Sequence, residues 1–178
     1  MSVDPKYFWI DAWALEQYIS KAEKAWQRFE RLTARSASTR GRNAEAEAVE
    51  LTEKALGLYR GNFLPADAEQ FWTFSYRERI RSKFIRMILV LGSHLEQSGQ
   101  TQKAVDCYLK GLEVDPLAEQ FCQRLMVCYK RLGQRAEGLG VYRRCRDLLE
   151  SVLGIPPSPK TESIHRSLQQ GINRNRSK

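Results

Sequence analysis

A shift of 34 residues lays the second half of this chain onto itself. Leu91 falls on Leu125, Leu95 on Tyr129, Gly99 on Gly133, Ala104 on Gly138 and Tyr108 on Tyr142. Set so that Pro116 closes it, the first unit reads Ile88, Leu91-Gly92, Leu95, Ala104, Tyr108, Gly111, Pro116, an alternation of large and small positions. The second unit keeps Leu125, Tyr129, Gly138, Tyr142 and Cys145, with Met126 in the small position and Glu150 in that of the proline. Small residues let a neighbouring helix approach, and large ones fill the space beside the contact. A helix pair built this way leaves an apolar face uncovered, so further pairs must stack on it.

Thirty-four is the period of the tetratricopeptide repeat, a helix-turn-helix unit. The expected fold is therefore all-α, a tetratricopeptide-like right-handed superhelix of about three helical hairpins plus a C-terminal capping helix. The rest of the chain supplies the missing elements. Leu15, Ile19, Ala22, Trp26 and Phe29 form one stripe of a helix starting near Asp11. The polar stretch from Ser36 to Gly41 predicts a loop, after which Ala44, Ala48, Leu51, Ala55 and Leu58 resume the stripe. Gly61 and Pro65 break the second helix. Residues 71–96 should form the longest helix, with Ile80, Phe84, Ile88, Leu91 and Leu95 on one face and Gly99 beyond its end.

Three shorter helices follow in expectation. The first turns Ala104, Tyr108 and Leu112 inward, the second Phe121, Leu125, Cys128 and Leu132, and the third Val141, Tyr142, Cys145 and Leu149. The Ile155-Pro156-Pro157-Ser158-Pro159 segment ends the last of them. Ser158 and Pro159 then suit the N-cap and first position of a final helix running to about Leu168. The domain reading is a link over 1–10, the repeat domain over 11–170 and a basic, disordered tail over 171–178.

Composition narrows the function class. Acids and bases are mixed along the chain, 29 Lys and Arg against 21 Asp and Glu, a net charge of +8, which argues against a disordered polyelectrolyte. The longest purely apolar run, Met87 to Leu91, is far short of the roughly 20 residues of a membrane helix. The N-terminus has neither a basic n-region nor a continuous apolar h-region, so the expected location is cytoplasmic, with no membrane partner. Cys107, Cys122, Cys128 and Cys145 lack the C-x-x-C spacing of metal or redox sites and read as small buried hydrophobes. His94 and His165 stand without a ligand pattern.

Phosphate-binding glycine loops, H-E-x-x-H and G-x-S-x-G are all missing from the sequence. The expectation is a non-enzyme with no catalytic residue, metal or cofactor. Two basic clusters stand out, Arg77, Arg79, Arg81, Lys83 and Arg86, and Arg143, Arg144 and Arg146. At about 100° per residue they spread around their helices, which favours a solvated, ion-paired surface over a phosphate-contacting one. Repeat geometry offers a better surface. The first helix of each pair lines the concave side, and its outward positions are Arg86, Leu89, Ser93, Gln120, Gln123, Val127 and Lys130, a candidate protein-binding groove. The alternative is that this groove is plain surface, or is filled by the first helix pair or the cap. Phe63, Phe71, Trp72 and Phe74 are either an exposed docking patch or part of the core.

Several separated motifs occur in one order: Tyr59-Arg60-Gly61-Asn62-Phe63-Leu64-Pro65, Trp72, Arg77-Glu78-Arg79, Asp115-Pro116-Leu117-Ala118-Glu119, Arg124-Leu125-Met126, Tyr142-Arg143-Arg144-Cys145, and Leu153-Gly154-Ile155-Pro156-Pro157-Ser158-Pro159-Lys160-Thr161. Together they resemble the bacterial transcriptional activation domain, the tetratricopeptide-like half of antibiotic-regulatory-protein (SARP) type regulators and related large regulators. The resemblance runs from about Asp11 to Leu168. It implies a domain that normally follows a winged-helix DNA-binding domain, and residues 2–11 are similar to the segment leaving the wing. The expected function is a regulatory protein-interaction domain of a bacterial transcription regulator. Its implied partners are its own DNA-binding domain, another protomer in a possible homodimer, or RNA polymerase, with DNA reached only through a domain absent from this chain. The alternatives are an accessory nucleic-acid-binding domain using the basic helix surfaces, and a sensor holding a small effector in the superhelical groove.

Overall fold

The computed structural model describes residues 5–34, 39–59 and 71–176, with side chains described over 13–34, 39–59 and 75–170. Every regular element among the described residues is helical. The chain divides into two compact units, Met1–Met87 and Ile88–Lys178.

The first unit contains α1 (Pro5–Thr33), α2 (Thr39–Leu58) and the beginning of α3 (Phe71–Gln97). Leu15, Ile19, Ala22 and Trp26 are buried, as their spacing predicts, and Ala25 joins them. The facing stripe of α2 is Ala44, Ala48, Thr52 and Ala55, all buried. Alanines end at Cβ, so α2 can lie close beside the larger residues of α1. The one polar side chain in that stripe is satisfied on both sides. Thr52 Oγ1 accepts from Trp26 Nε1 at 3.1 Å and donates to the Ala48 carbonyl at 2.7 Å.

Glu16 ties α1 to α3 by accepting from the Tyr76 hydroxyl and Lys83 Nζ, each at 3.1 Å, with Arg79 at 3.3 Å. Tyr59 stacks on Phe84 with ring centroids 4.0 Å apart. The helix boundaries depart from expectation here. The first helix begins at Pro5 rather than near Asp11, a residue suited to a first helical turn. At 29 residues it is longer than α3, at 27, which corrects the expectation that residues 71–96 form the longest helix. Thr39 to Gly41, assigned to a loop from their polarity, are helical, and Gly41 is buried. The break at Gly61 and Pro65 lies outside the described residues, as do Phe63 and the side chains of Phe71, Trp72 and Phe74.

The second unit contains the end of α3, then α4 (Thr101–Val114), α5 (Glu119–Arg131), α6 (Arg135–Leu148), a π-helical turn (Leu149–Leu153) and α7 (Pro159–Arg176). Its packing is that of a tetratricopeptide-like fold. A Cβ on Gly92 would lie 2.3 Å from the Tyr108 ring, and one on Gly111 would lie 2.6 Å from the Phe121 ring. Each glycine thus lets the next helix of the series come into contact, and Ala104, Tyr108, Phe121 and Leu125 are fully buried around those contacts. Met126, the apparent misfit of the second unit, is fully buried as well. The tight turns after α3 and α5 share one geometry. Gly99 and Gly133 sit at φ 77° and 75°, and the following amides, Gln100 and Gln134, reach back to the carbonyls of Leu95 and Tyr129 at 2.8 and 2.9 Å.

Ser158 and Pro159 open α7 as expected, which packs on α5 and α6 with Leu168 buried above Gly138. Its backbone continues to Arg176, past the expected end at about Leu168. Two inward assignments need correction. Leu132 is exposed because it occupies the C-cap position of α5, and Leu112 is only half-buried. No helix among the described residues is long and apolar enough to cross a membrane.

Candidate protein-interaction surface

A buried carboxylate organises the second unit. Glu96, on the last turn of α3, accepts from the Tyr108 hydroxyl of α4 at 2.7 Å and from Arg131 Nη1 of α5 at 2.8 Å, with Arg124 Nε at 3.5 Å. Three helices therefore meet on one anion, and the arginines compensate a charge that would be costly to bury alone. Burial and the Glu96 bond push the Tyr108 phenol well above its ordinary range. Sequence patterning missed Glu96, because a glutamate near a helix end looks like any surface acid.

A second polar cluster anchors α7. Ser158 Oγ caps the helix by accepting from the Thr161 amide at 3.4 Å. Glu119 of α5 accepts from the Ser158 amide at 2.7 Å, and Gln123 Nε2 donates to Thr161 Oγ1 at 2.9 Å and to Ser158 Oγ at 3.4 Å. Burial works against the Glu119 charge, but hydrogen bonds from Thr161 and Ser158 outweigh it and hold the carboxyl below its ordinary range. Farther along α7, His165 stacks on the Tyr142 ring with centroids 3.6 Å apart, and the Tyr142 hydroxyl donates to Glu162 at 2.5 Å. Burial raises the Tyr142 phenol to about 12, with help from Glu162. Burial lowers the His165 imidazole, against the pull of Glu162.

These clusters sort the groove residues expected from the sequence. Ser93 accepts from Arg124 Nη2 at 3.1 Å, and Gln123 is held by the cap of α7, so both are engaged within the fold. Leu89 and Val127 are half-buried, whereas Gln120 and Lys130 are exposed on α5. Arg86 is exposed on α3 within the first unit.

The basic cluster at the start of α3 is largely taken up by carboxylates. Arg79 and Lys83 meet Glu16, and Arg81 meets Glu78 at 3.4 Å. Arg146 pairs with Asp147, while Arg143 and Arg144 are exposed. All four cysteines are buried free thiols. Burial pushes Cys107 up to about 12 and Cys128 up to about 11. Its hydrogen bond to Cys122, reinforced by burial, raises Cys145 strongly. None of these three is poised as a thiolate. No group of three or more potential metal ligands occurs among the described residues.

Residues 26–169 match the family described as the bacterial transcriptional activator domain. The transcriptional regulator RedD of Streptomyces coelicolor is 29% identical over 118 residues, a match covering 66% of this chain and 34% of RedD. The chain thus spans about a third of the length of that curated relative. A solved structure of a MamA mutant aligns with a TM-score of 0.41 at 16% identity, covering 94% of this chain and 90% of that one.

Proposed function

Because the chain belongs to the bacterial transcriptional activator domain family, we propose that it is the protein-contacting part of a bacterial transcription regulator. In this reading it acts without catalysis and without a cofactor. It pairs with a second copy, holds an adjacent DNA-binding domain or touches the transcription machinery, and DNA is reached through a separate domain. The observation that carries the proposal is the family match over 26–169, which includes the glycine-mediated packing of Gly92, Gly111 and Gly138. In this reading Leu89, Gln120, Val127 and Lys130 of the expected groove meet the partner, while Ser93 and Gln123 are bonded within the fold.

Light scattering on the purified chain, with pull-down against RNA polymerase subunits and the regulator's DNA-binding domain, tests this. A dimer or a recovered partner is expected. A strict monomer that recovers nothing removes the proposal. A direct nucleic-acid role is disfavoured by the carboxylates that engage Arg79, Arg81 and Lys83. Labelled duplex DNA titrated at two salt concentrations should bind negligibly at physiological salt. Tight binding with a steep salt slope would reverse the ranking.

A further inference from the structure

The charges of α1 are segregated. Lys21, Lys24, Arg28 and Arg31, spaced three, four and three residues apart, fall within an arc of about 80° at about 100° per residue. Glu16, Glu23 and Glu30, spaced by seven, lie on the other flank, about 120° away on the same helical wheel. On the acidic flank, Glu16 is engaged within the fold, bonded to Tyr76 and Lys83 of α3. The basic flank borders an open groove of about 570 Å³ between α1 and α2.

That groove combines two kinds of chemistry. Ala25 and Leu32 of α1 and Leu51 of α2 supply apolar lining, and the four cations line the same space. Arg28 is paired with Glu47 of α2. Lys21, Lys24 and Arg31 have no carboxylate within ion-pair distance among the described residues. Lys21 lies 5.8 Å from the centre of the Tyr18 ring, and Arg31 Nε donates to the Gln27 carbonyl at 3.1 Å.

We infer that the α1–α2 groove is a docking site for an acidic amphipathic helical segment of a partner protein. A helix of that kind sets apolar residues on Ala25, Leu32 and Leu51 and its carboxylates beside Lys21, Lys24 and Arg31. Residues 21–31 cover about 15 Å of axis at about 1.5 Å per residue, enough to face nearly three turns of a partner helix. Duplex DNA fits less well, because its backbone gains nothing from the apolar lining and Glu47 stands in the groove wall. The inference concerns a surface other than the one proposed above, so either can fail alone.

The probe is a labelled 18-residue peptide with leucines at i, i+3, i+4 and i+7 spacing and glutamates elsewhere, titrated into the full chain by fluorescence anisotropy. Binding is expected, weakened tenfold or more by Lys21→Glu/Lys24→Glu/Arg31→Glu, and by a similar factor when the peptide's leucines become serines. The milder Lys21→Gln/Lys24→Gln/Arg31→Gln variant, with its helicity checked by circular dichroism, keeps the test decisive if charge reversal unfolds the chain. No binding at millimolar peptide, or equal binding by a folded triple variant, overturns the inference. Equal binding of the serine peptide together with displacement by a 20-base-pair duplex also overturns it, in favour of a general polyanion surface.

Discussion

The Tyr108 ring occupies the space that a Cβ on Gly92 would need, its Cε1 lying 2.3 Å from that point. The same side chain carries its hydroxyl to Glu96, one turn farther along α3. One tyrosine therefore fixes both how closely α3 and α4 approach and where the buried carboxylate points.

Gly92→Ala should destabilise the fold. Forcing a methyl into the Tyr108 ring costs about 1–3 kcal/mol, and the helical preference of alanine returns only about 1 kcal/mol. Gly140, inside α6, has nothing within 4 Å of the point where a Cβ would stand. Gly140→Ala should therefore stabilise by about 0.5–1 kcal/mol. Chemical denaturation of the two variants would show opposite signs, and matching signs would discredit the packing account.

Glu96→Ala removes the acceptor of a buried hydroxyl and the counter-charge of two arginines. Arg131 and Arg124 are about half exposed and can turn to water, so the orphaned hydroxyl dominates at about 1–3 kcal/mol. Tyr108→Phe should cost about 1 kcal/mol. A double-mutant cycle between the two positions should give a coupling well above about 0.5 kcal/mol, as expected for residues in contact.

Acidification should destabilise the chain in two separate windows. The folded state lowers the His165 imidazole, so the protonated form is favoured on unfolding, and stability falls as pH drops below the ordinary value of 6.5. Glu119 is also lowered, so its contribution is complete above the ordinary value of 4.5 and disappears as pH falls through its folded value. Melting curves from pH 8 to pH 3 should show both declines. His165→Phe, which keeps a ring against Tyr142, should remove the upper one, and Glu119→Gln should reduce the lower, to which Glu16, also held below its ordinary value, contributes.

Ser158→Ala removes the side-chain cap of α7 and should cost about 1 kcal/mol. The loss should appear first as faster amide exchange in α7. Uniform acceleration through α3 and α4 would contradict the placement of this cap.

The fold was legible in the sequence where side-chain size decides packing. Gly92, Ala104, Tyr108 and Gly111 announced the repeat, and Ser158-Pro159 announced α7, because local stereochemistry and volume alone determine those features. Polar burial was less visible. Glu96 and Glu119 look like surface acids until tertiary contacts bring them Tyr108, the arginines and the end of α7. The groove residues divided for the same reason, since Ser93 and Gln123 were placed on the right helices but their partners, Arg124 and Thr161, come from other elements. The charge segregation of α1 was present in the spacing of Lys21, Lys24, Arg28 and Arg31, but the groove beside it exists only once Glu47 and Leu51 of α2 form the other wall.

The matching joints at Gly99-Gln100 and Gly133-Gln134 make residues 100–133 a cassette. A second copy spliced in after Gly133 would join through another Gly-Gln junction and lengthen the array by one hairpin, leaving α7 in place over Gly138. Met126 of the first copy would be followed by the new Tyr108 as it is now followed by Tyr142, because a shift of 34 residues lays one tyrosine on the other. Growth by whole units is thus built into the geometry of two glycines.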